Sequence, residues 1–409
     1  MCVKVAVIGI GRMGRIHARN LRTHRIPHAR LVAVCDIDKH VLEAHQRKYK
    51  KIPTYLSYKD MLEKEDIDAV IIATPHYEHG KITKYCIEKD KHVLVEKPMT
   101  VTAYEAESVI KKANEKPSLI TAVMWNQRTN PIHQKARKLV SSGAIGKIIR
   151  ANYIIANWYR SQAYYNQGGW RASYSGEGGG TLINQCVHQL DLLQWILGMP
   201  KAVESKLCTK GRDITTENDV ACIFTYPDNV YLILTASTHE LRGTNRFEIA
   251  GDKGRIVIEN NKMTVYTFKK SEPEVNAETK QGYGFVTRKT KRYSYTLRFI
   301  SRIIWYFGEQ ACLIKNFINA IRGKEKLLSP IKDGLGAVQL VNGIYASSWR
   351  GEKMAIPVDP VKYEERLRLK IEDEKAMLAK DTKKHSSKQA NKETESMLKE
   401  IENQIREEE

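Results

Sequence analysis

Short apolar runs alternate with amphipathic stretches over the first 125 residues of the chain. The apolar runs are rich in β-branched residues and nearly free of polar positions, which is typical of strands buried on both faces. They predict strands over Val3–Ile8, Leu31–Cys35, Ala69–Ala73, His92–Val95 and Leu119–Met124. The stretches between them have a helical period and predict helices over Arg12–Thr23, Lys39–Lys48, Tyr77–Lys89 and Ala103–Asn114. Regular alternation of this kind predicts a doubly wound parallel sheet in residues 1–125, with helices on both faces.

The pattern changes after Ser142, where longer strand-like segments follow one another along the chain. These segments are Ile148–Trp158, Ala202–Cys208, Val220–Tyr226, Val230–Ser237, Arg246–Ala250, Arg255–Glu259 and Met263–Thr267. Pro227-Asp228-Asn229 and Gly251-Asp252-Lys253-Gly254 stand between neighbouring segments and have the composition of hairpin turns. Helices are predicted over Thr181–Leu197, Gln310–Ile321 and Leu335–Trp349. Residues 126–359 therefore predict a second α/β domain with a large open, mostly antiparallel sheet.

Residues 360–409 differ from the rest of the chain in composition. From Val361 onward there is no Gly or Pro, and 12 Lys and Arg residues stand against 13 Asp and Glu residues. Few aromatic residues accompany these charges, which favours a charged helix or a disordered tail.

The overall composition excludes several protein classes. Hydrophobic residues make up 42% of the 409 residues, enough for two cores, while the 25 Gly and 12 Pro residues are too few for a low-complexity chain. No window approaches the roughly 18 unbroken apolar residues of a membrane span, and the first strand begins at Val3, so we expect neither a membrane segment nor a signal peptide. The 7 cysteines are scattered without CxxC pairs, which indicates reduced thiols in a cytoplasmic protein.

A net charge of +20 raises the question of nucleic-acid binding. The dense acid-free cluster of cations lies between Arg288 and Arg302, and Tyr293 and Tyr295 are interleaved with it. Such a segment can hold phosphates. Elsewhere the cations are spread among acids, as on a solvated surface, so we expect an exposed loop or a loop that favours an anionic ligand rather than a nucleic-acid interface.

The first candidate site is the glycine-rich turn Gly9-Ile10-Gly11-Arg12-Met13-Gly14. It follows a predicted strand and opens a predicted helix, where free backbone N–H groups and the helix dipole favour phosphates. The first glycine allows the tight turn, the second lets a pyrophosphate approach, and the third lets helix and strand pack closely. Asp36 follows at the end of the second strand, as this fingerprint requires. The sequence therefore predicts a dinucleotide site.

Asp36 also bears on the choice of cofactor. A carboxylate at this position accepts hydrogen bonds from ribose hydroxyls and repels a 2′-phosphate. Ile37 and Asp38 follow, and no arginine is near. NAD is therefore favoured over NADP.

A second candidate site combines a lysine with a polar helix face. Lys97 stands between Glu96 and Pro98 after a predicted strand, and the carboxyl ends of parallel strands are where such sheets bind ligands. Asn184, His188 and Asp191 are spaced to share one face of the helix that follows Gly178-Gly179-Gly180. A lone histidine there would more often be structural, but three polar residues on a mostly buried helix suggest an active site. No second histidine stands at ligand spacing, so we do not expect a metal site.

Together these motifs resemble the glucose–fructose oxidoreductase and inositol dehydrogenase family (Gfo/Idh/MocA) over residues 3–359. The resemblance rests on five motifs in order. They are the fingerprint with Asp36, Ala73-Thr74-Pro75-His76-Tyr77-Glu78-His79, Glu96-Lys97-Pro98, Gly168-Gly169-Trp170-Arg171, and the segment from Gly178 through Asn184-Gln185-Cys186-Val187-His188 to Asp191.

The resemblance implies an N-terminal Rossmann domain, a C-terminal α/β domain, and a homodimer or homotetramer formed through the C-terminal sheet. It implies that Lys97, His188 and Asn184 are catalytic. The cofactor-binding residues that we expect from the fingerprint and the resemblance are Gly9, Gly11, Arg12, Met13, Gly14, Asp36, Ile37, Thr74, Pro75, His76, His79, Glu96, Lys97, Trp170 and Arg171. The implied activity is NAD-dependent oxidation of a hydroxyl on a sugar, sugar derivative or cyclitol, in which His188 takes the proton and Lys97 steadies the oxyanion.

One position departs from the family pattern. Many members carry Asp where this chain has Asn184, and an amide cannot act as a base, so a proton relay through this position is in doubt. Two other functions stay open on the sequence. One is a redox-neutral glycoside hydrolase that keeps NAD bound, and the other is a non-catalytic NAD-sensing regulator, which the presence of both Lys97 and His188 disfavours.

Overall fold

The strands of the protein form two sheets. The structure, a computed structural model, describes residues 2–167, 169–280, 282–284, 286–294 and 300–380, without side-chain detail for residue 294 and residues 300–307. Gly168, Tyr295, Arg298 and residues 381–409, which figure in the sequence predictions, lie outside the described residues. The described residues up to Tyr363 form one compact unit, and residues 364–380 belong to a second unit.

The first sheet is parallel and has the strand order β3-β2-β1-β4-β5-β6. Its strands are β1 (Val3–Ile8), β2 (Ala29–Cys35), β3 (Thr54–Tyr55), β4 (Ala69–Ile72), β5 (His92–Val95) and β6 (Thr121–Val123). Every pairing in it is parallel. The prediction of a doubly wound parallel sheet is confirmed, and β3 was not predicted because two residues give no readable period.

Helices α1 (Arg12–Arg22), α2 (Lys39–Lys48), α3 (Tyr58–Lys64), α4 (His76–Glu88) and α5 (Ala103–Asn114) connect these strands. Their first turns carry the expected chemistry, because the side chains of Asp38, Ser57 and Thr102 accept hydrogen bonds from backbone N–H groups of α2, α3 and α5. Helix α4 begins after Pro75 without a side-chain cap, and helix α1 likewise begins after Gly11 without one. Its first N–H groups are therefore available to a ligand.

The second sheet has nine strands in the order β14-β13-β12-β11-β7-β10-β9-β8-β15. The strands are β7 (Ile148–Ile155), β8 (Ala202–Cys208), β9 (Asp219–Thr225), β10 (Tyr231–Ser237), β11 (Asn245–Gly251), β12 (Gly254–Glu259), β13 (Lys262–Phe268), β14 (Arg288–Ser294) and β15 (Met354–Ala355). Strands β7 and β10 pair in parallel, and all other neighbours are antiparallel. This confirms the prediction of a mostly antiparallel sheet.

Two sequence predictions are wrong in this part of the chain. Residues 288–294 of the basic segment are a strand, not a loop, because their backbone pairs with β13 along its whole length. The single helix predicted over Thr181–Leu197 is broken after Asn184, and the backbone N–H of Cys186 turns back to the carbonyl oxygen of Thr181. The continuous apolar period across the break hid it from the sequence pattern.

The remaining helices cover the two sheets. They are α6 (Pro131–Ser141), α7 (Gln162–Tyr165), α8 (Thr181–Asn184), α9 (Val187–Leu197), α10 (Glu272–Glu278), α11 (Ile300–Ile321) and α12 (Gly334–Arg350). Helix α11 changes direction at Gly308, whose φ is +71°. Beyond this point Leu313, Ile314 and Phe317 are fully buried in the core that also holds Val5 and Val7 of β1. Each such side chain stabilises the fold by roughly 1.5–3 kcal/mol, so this late helix belongs to the core of the first sheet.

Residues 364–380, the described part of the second unit, are helical. Among the helices that the structure describes, none has the length and apolar character needed to cross a membrane.

Candidate active site

The glycine-rich turn between β1 and α1 is shaped by two close approaches and one open side. Gly9 has a φ of +88°, and a Cβ there would lie 2.6 Å from the carbonyl oxygen of Ala73. A Cβ on Gly14 would lie 1.8 Å from the carbonyl oxygen of Gly9. A Cβ on Gly11 would meet no atom within 4 Å. The first and third glycines are thus required by packing, while the second faces open space beside the uncapped start of α1.

Asp36 joins the end of β2 to this turn. One carboxylate oxygen accepts a hydrogen bond from the backbone N–H of Ile10 at 2.6 Å, and the other accepts one from the N–H of Asp38 at 3.0 Å. Each oxygen keeps a second lone pair. Ile37 projects into solvent and is 91% exposed.

The segment after β4 lies against the glycine turn. The Thr74 hydroxyl is buried and has no hydrogen-bond partner among the described residues. Pro75 is exposed and stands at the start of α4. The His76 Nδ1 lies 2.8 Å from the carbonyl oxygen of Glu177. His79 is 1% exposed, with its two ring nitrogens 2.7 Å from the Pro98 oxygen and 2.8 Å from the Thr74 oxygen, so it holds two loops together.

Lys97 follows β5 with its ammonium group half-buried among polar groups. Its Nζ donates to the backbone oxygen of Asn184 at 2.9 Å and to the side-chain Oδ1 of Asn184 at 3.2 Å. Burial lowers the pKa of Lys97, although the charges of Glu96 and Glu177 act against it. The amine is therefore easier to deprotonate than a solvent-exposed lysine.

Glu96 supports Lys97 from the preceding position. Its carboxylate lies 2.8 Å from the His17 Nε2 and accepts a hydrogen bond from the Lys97 backbone N–H at 3.1 Å. Burial acts to raise the pKa of Glu96, but the hydrogen bond with His17 and the electrostatic effects of His17, Lys97 and His188 together outweigh it, and the pKa is lowered. Glu96 is therefore a stable buried anion beneath the lysine.

His188 stands in the first turn of α9, with its ring 5.8 Å from that of Trp125. Its Nδ1 is buried without a hydrogen-bond partner among the described residues. Burial, followed by the positive charge of Lys97, lowers the pKa of His188 to about 3. The imidazole is therefore neutral at physiological pH and can accept a proton.

Asp191 does not join this group. Its carboxylate binds Arg128 through two hydrogen bonds of 2.8 and 2.6 Å, and Arg128 also binds Asp333 at 2.6 Å. Arg128 and Asp191 are almost fully buried. The polar residues that the sequence predicted to share one helix face therefore have different contacts. Asn184 contacts Lys97, while Asp191 anchors helix α9 to Arg128.

The structure adds three residues to the candidate site, namely Tyr164, Glu177 and Gln185. None of them was predicted as a catalytic or cofactor-binding residue. The Tyr164 hydroxyl accepts hydrogen bonds from Arg171 at 2.9 Å and from Gln185 at 3.1 Å. Glu177 accepts a hydrogen bond from the Asn184 side chain. The Arg171 guanidinium also lies 4.7 Å from the Trp170 ring centre. The sequence offered only weak signals for these residues, namely an aromatic cluster around Tyr164 and an acid just before the glycine run.

Comparison with known proteins identifies the family. A model described as the oxidoreductase family with an NAD-binding Rossmann fold matches residues 3–123, and the model of the GFO/IDH/MocA C-terminal domain matches residues 133–257. The chain belongs to the Gfo/Idh/MocA oxidoreductase family. Its first domain is therefore an NAD-binding Rossmann domain, and the resemblance inferred from the motifs is confirmed.

Several relatives in this family are inositol dehydrogenases. The chain is 33% identical to the NAD⁺-dependent scyllo-inositol 2-dehydrogenase of Bacillus subtilis over 196 residues, which cover 48% of this chain and 54% of the relative. It is 25% identical to the myo-inositol 2-dehydrogenase of Thermotoga maritima over 268 residues, or 64% of this chain and 77% of the relative.

Solved structures share the fold of this family member. The WlbA dehydrogenase of Bordetella pertussis, in complex with NADH and UDP-GlcNAcA, superimposes with a TM-score of 0.75 at 22% identity, covering 87% of this chain and 98% of that chain. A levoglucosan dehydrogenase in complex with NADH and levoglucosan gives a TM-score of 0.69 at 20% identity, covering 87% and 100%.

The geometry of the turn fits NAD. The open side of Gly11 leaves space for a pyrophosphate, the uncapped start of α1 offers N–H donors to it, and the unpartnered Thr74 hydroxyl lies in the adjoining loop. The remaining lone pairs of Asp36 can accept hydrogen bonds from ribose hydroxyls.

Proposed function

We propose that the protein is an NAD-dependent dehydrogenase that oxidises a CH–OH group of a sugar, sugar derivative or cyclitol, with Lys97 and His188 at the reacting alcohol. The observation that carries the proposal is the pairing of a half-buried amine with a neutral imidazole at the carboxyl end of the parallel sheet, where the dinucleotide turn also lies. The relatives named for inositol and the solved structures titled with UDP-GlcNAcA or levoglucosan support this substrate class.

Each residue has a distinct role in the proposed reaction. Lys97 uses two of its three N–H donors on Asn184, which leaves one for the oxygen of a substrate hydroxyl. The same contact stabilises the negative charge that develops on this oxygen. His188 accepts the hydroxyl proton, because its ring is neutral. NAD, when bound, would supply the hydride acceptor, so that the alcohol would lose its hydroxyl proton and a hydride from the same carbon and become a carbonyl.

The cofactor preference follows from Asp36. Its negative charge favours ribose hydroxyls and disfavours a 2′-phosphate, which supports NAD over NADP. The Arg171 guanidinium contacts both the Trp170 ring and the Tyr164 hydroxyl, and these three residues are proposed to lie near the nicotinamide and the substrate.

We also propose that the outer face of the nine-stranded sheet joins copies of the chain in a homodimer or homotetramer. Ile223, Tyr231 and Ile233 on neighbouring strands are each more than 40% exposed on this face. Adjacent exposed apolar side chains of this kind mark a surface that is covered by another protein.

The test is a panel of sugars, nucleotide sugars and cyclitols, mixed with the purified full-length protein and NAD and followed at the NADH absorbance band. We expect NADH to form with at least one member of the panel. Lys97→Met should lower kcat by roughly 100-fold or more without loss of NADH binding, because a hydrogen-bond donor to the developing oxyanion is lost.

Lys84→Met is the matched control and should leave kcat unchanged, since the Lys84 ammonium donates to the Ser108 hydroxyl between helices α4 and α5, away from the candidate site. Release of an aglycone without net NADH would instead indicate the redox-neutral hydrolase and contradict the proposal.

A further inference from the structure

Glu177 is a buried carboxylate that the proposed reaction does not use. It is 2% exposed and stands just before the Gly178-Gly179-Gly180 run. One of its oxygens accepts a hydrogen bond from the backbone N–H of Ala172 at 2.8 Å, and the other accepts one from the side-chain amide of Asn184. Among the described residues, no cation forms an ion pair with Glu177 within 4.0 Å. Burial raises the pKa of Glu177 to about 7, while these two hydrogen bonds and the charges of Lys97 and Arg171 favour its ionised form.

The hydrogen bonds of Asn184 determine which way its side-chain amide is oriented. The Lys97 ammonium can only donate, so the amide atom that faces it must be the oxygen. The NH₂ end then faces Glu177, which must be an acceptor. The opposite orientation would set NH₂ against the ammonium group and the amide oxygen against the carboxylate, giving two repulsive contacts. An ionised Glu177 therefore fixes the orientation in which Asn184 holds Lys97.

We propose that Glu177 is a positioning residue for Lys97, because its carboxylate orients the Asn184 amide toward the ammonium group and its negative charge keeps that group protonated. The proposal deepens the proposed function. It rests on that function in one respect, because Glu177 affects turnover only if Lys97 contacts the reacting alcohol. The proposal adds Glu177 to the candidate site as an acidic residue that acts on Lys97 through the side-chain amide of Asn184.

The other charges around Lys97 determine how far its pKa depends on Glu177. Glu96 is already bonded to His17 and to the Lys97 backbone, and it contributes a second negative charge. Other described ionisable groups whose charges interact with Lys97 include Arg160, Arg171, His76, His79 and His188. The two arginines favour the neutral amine, and burial lowers the pKa of each histidine. Removal of Glu177 therefore leaves Glu96 as the one carboxylate among these groups, and the Lys97 pKa should fall.

Glu217 offers a matched control on the other side of the glycine run. It is 3% exposed, and burial raises its pKa to about 7, as burial does for Glu177. Its carboxylate accepts hydrogen bonds from the Leu182 N–H and the Tyr345 hydroxyl, both at 2.9 Å. Glu217 therefore matches Glu177 in burial and pKa, but its hydrogen bonds go to neither Asn184 nor Lys97.

The experiment measures the protonation of Lys97 directly. Full-length wild type, Glu177→Gln and Glu217→Gln, without substrate or added cofactor, are labelled with trace acetic anhydride across a range of pH, and acetylation of Lys97 is quantified by mass spectrometry. We expect the midpoint of Lys97 labelling to fall by roughly one pH unit in E177Q, since a nearby opposite charge is removed. The midpoint should not move in E217Q. An unmoved midpoint in E177Q, or an equal shift in both variants, would overturn the proposal.

A double variant covers the case in which E177Q does not fold. Glu177→Gln combined with Asn184→Asp moves the carboxylate into direct contact with the ammonium group, and the Lys97 midpoint should rise above that of wild type. A midpoint at or below the wild-type value overturns the proposal.

The labelling requires no turnover, so its outcome is independent of the proposed function. If the substrate panel yields no NADH while the midpoint shifts as expected, the proposed function fails and the role of Glu177 stands. With an active substrate, E177Q should lower kcat at least about tenfold and move the pH profile with the labelling midpoint, while KM for NAD stays unchanged.

Discussion

At the residue scale, Asp36 joins the proposed cofactor preference to the shape of the glycine-rich turn. Its two oxygens already accept backbone hydrogen bonds from both sides, so the carboxylate is held in place before any ligand arrives. Asp38, two residues later, is also an aspartate, but it caps helix α2 through the N–H groups of His40 and Val41. The two neighbouring carboxylates thus have separate roles, and substitution can separate them.

We expect Asp36→Ser to weaken NADH binding about tenfold and to improve NADPH binding, because the charge that repels a 2′-phosphate is lost. The measurement is titration of both reduced cofactors by fluorescence, which needs no substrate. Asp38→Ser should leave both dissociation constants unchanged, since serine also caps helices well. An unaltered ratio of the two constants in D36S would contradict this role for Asp36.

Individual residues differ in how far the sequence could have revealed them. Lys97 was visible because it follows an apolar strand at the edge where α/β sheets bind ligands. Glu177 was not, since it lies in a segment without strand or helix period, and its contact with Asn184 depends on how the glycine run folds back. The Arg128 pairing with Asp191 was equally hidden, because it joins residues from separate helical segments.

At the scale of elements, the β1–α1 unit depends on different glycines for different reasons. Gly14 is required for helix and turn to pack, whereas Gly11 borders open space. The backbone of Gly11 has a φ of −69° and a ψ of −157°, in the extended region that other residues adopt. Folding and cofactor binding can therefore be impaired separately within one turn.

We expect Gly11→Ala to fold with nearly unchanged thermal stability but to bind NADH at least about tenfold more weakly, because its methyl group takes space left for the phosphates. Gly14→Ala should lower the free energy of unfolding by about 4 kcal/mol or more, or prevent folding, since its Cβ would overlap the Gly9 oxygen. Thermal unfolding and NADH titration check both variants. Wild-type stability in G14A, or wild-type binding in G11A, would refute the assignment.

Helix and strand bounds followed closely from the sequence wherever a cap and a periodic face coincide. Helices α2 and α5 run over the residues predicted for them, and each begins after a capping side chain. The break between α8 and α9 was missed because the apolar residues around it keep a continuous helical period. The break sets Asn184 and His188 on separate helices on either side of a turn.

At the scale of the whole molecule, the nine-stranded sheet leaves apolar side chains on its outer face. Ile233 of β10 stands directly opposite Ile223 of β9, and the two are 43% and 44% exposed. A cross-strand pair of this kind stabilises an interface when another surface covers it. The order of the strands could not be derived from the sequence, because the parallel pairing of β7 with β10 depends on contacts between distant segments.

If the proposed oligomer forms through this face, we expect Ile233→Lys to convert it into smaller species, because a buried unpaired charge at an interface is costly. Light scattering coupled to size-exclusion chromatography measures the mass. Leu241→Lys makes the same chemical change at a loop residue that is 79% exposed, and it should leave the mass unchanged. An unchanged mass in I233K would argue against an interface at this face.

The two sheets end in four edge strands, and three of them are only two or three residues long. The fourth, β14, has seven residues and carries Arg288, Lys289, Lys291 and Arg292 in solvent. A row of open peptide groups on such a strand would otherwise be a template for further chains. A second copy that approaches this edge meets like charges, so the four cations of β14 disfavour the edge-to-edge pairing that leads to fibrils.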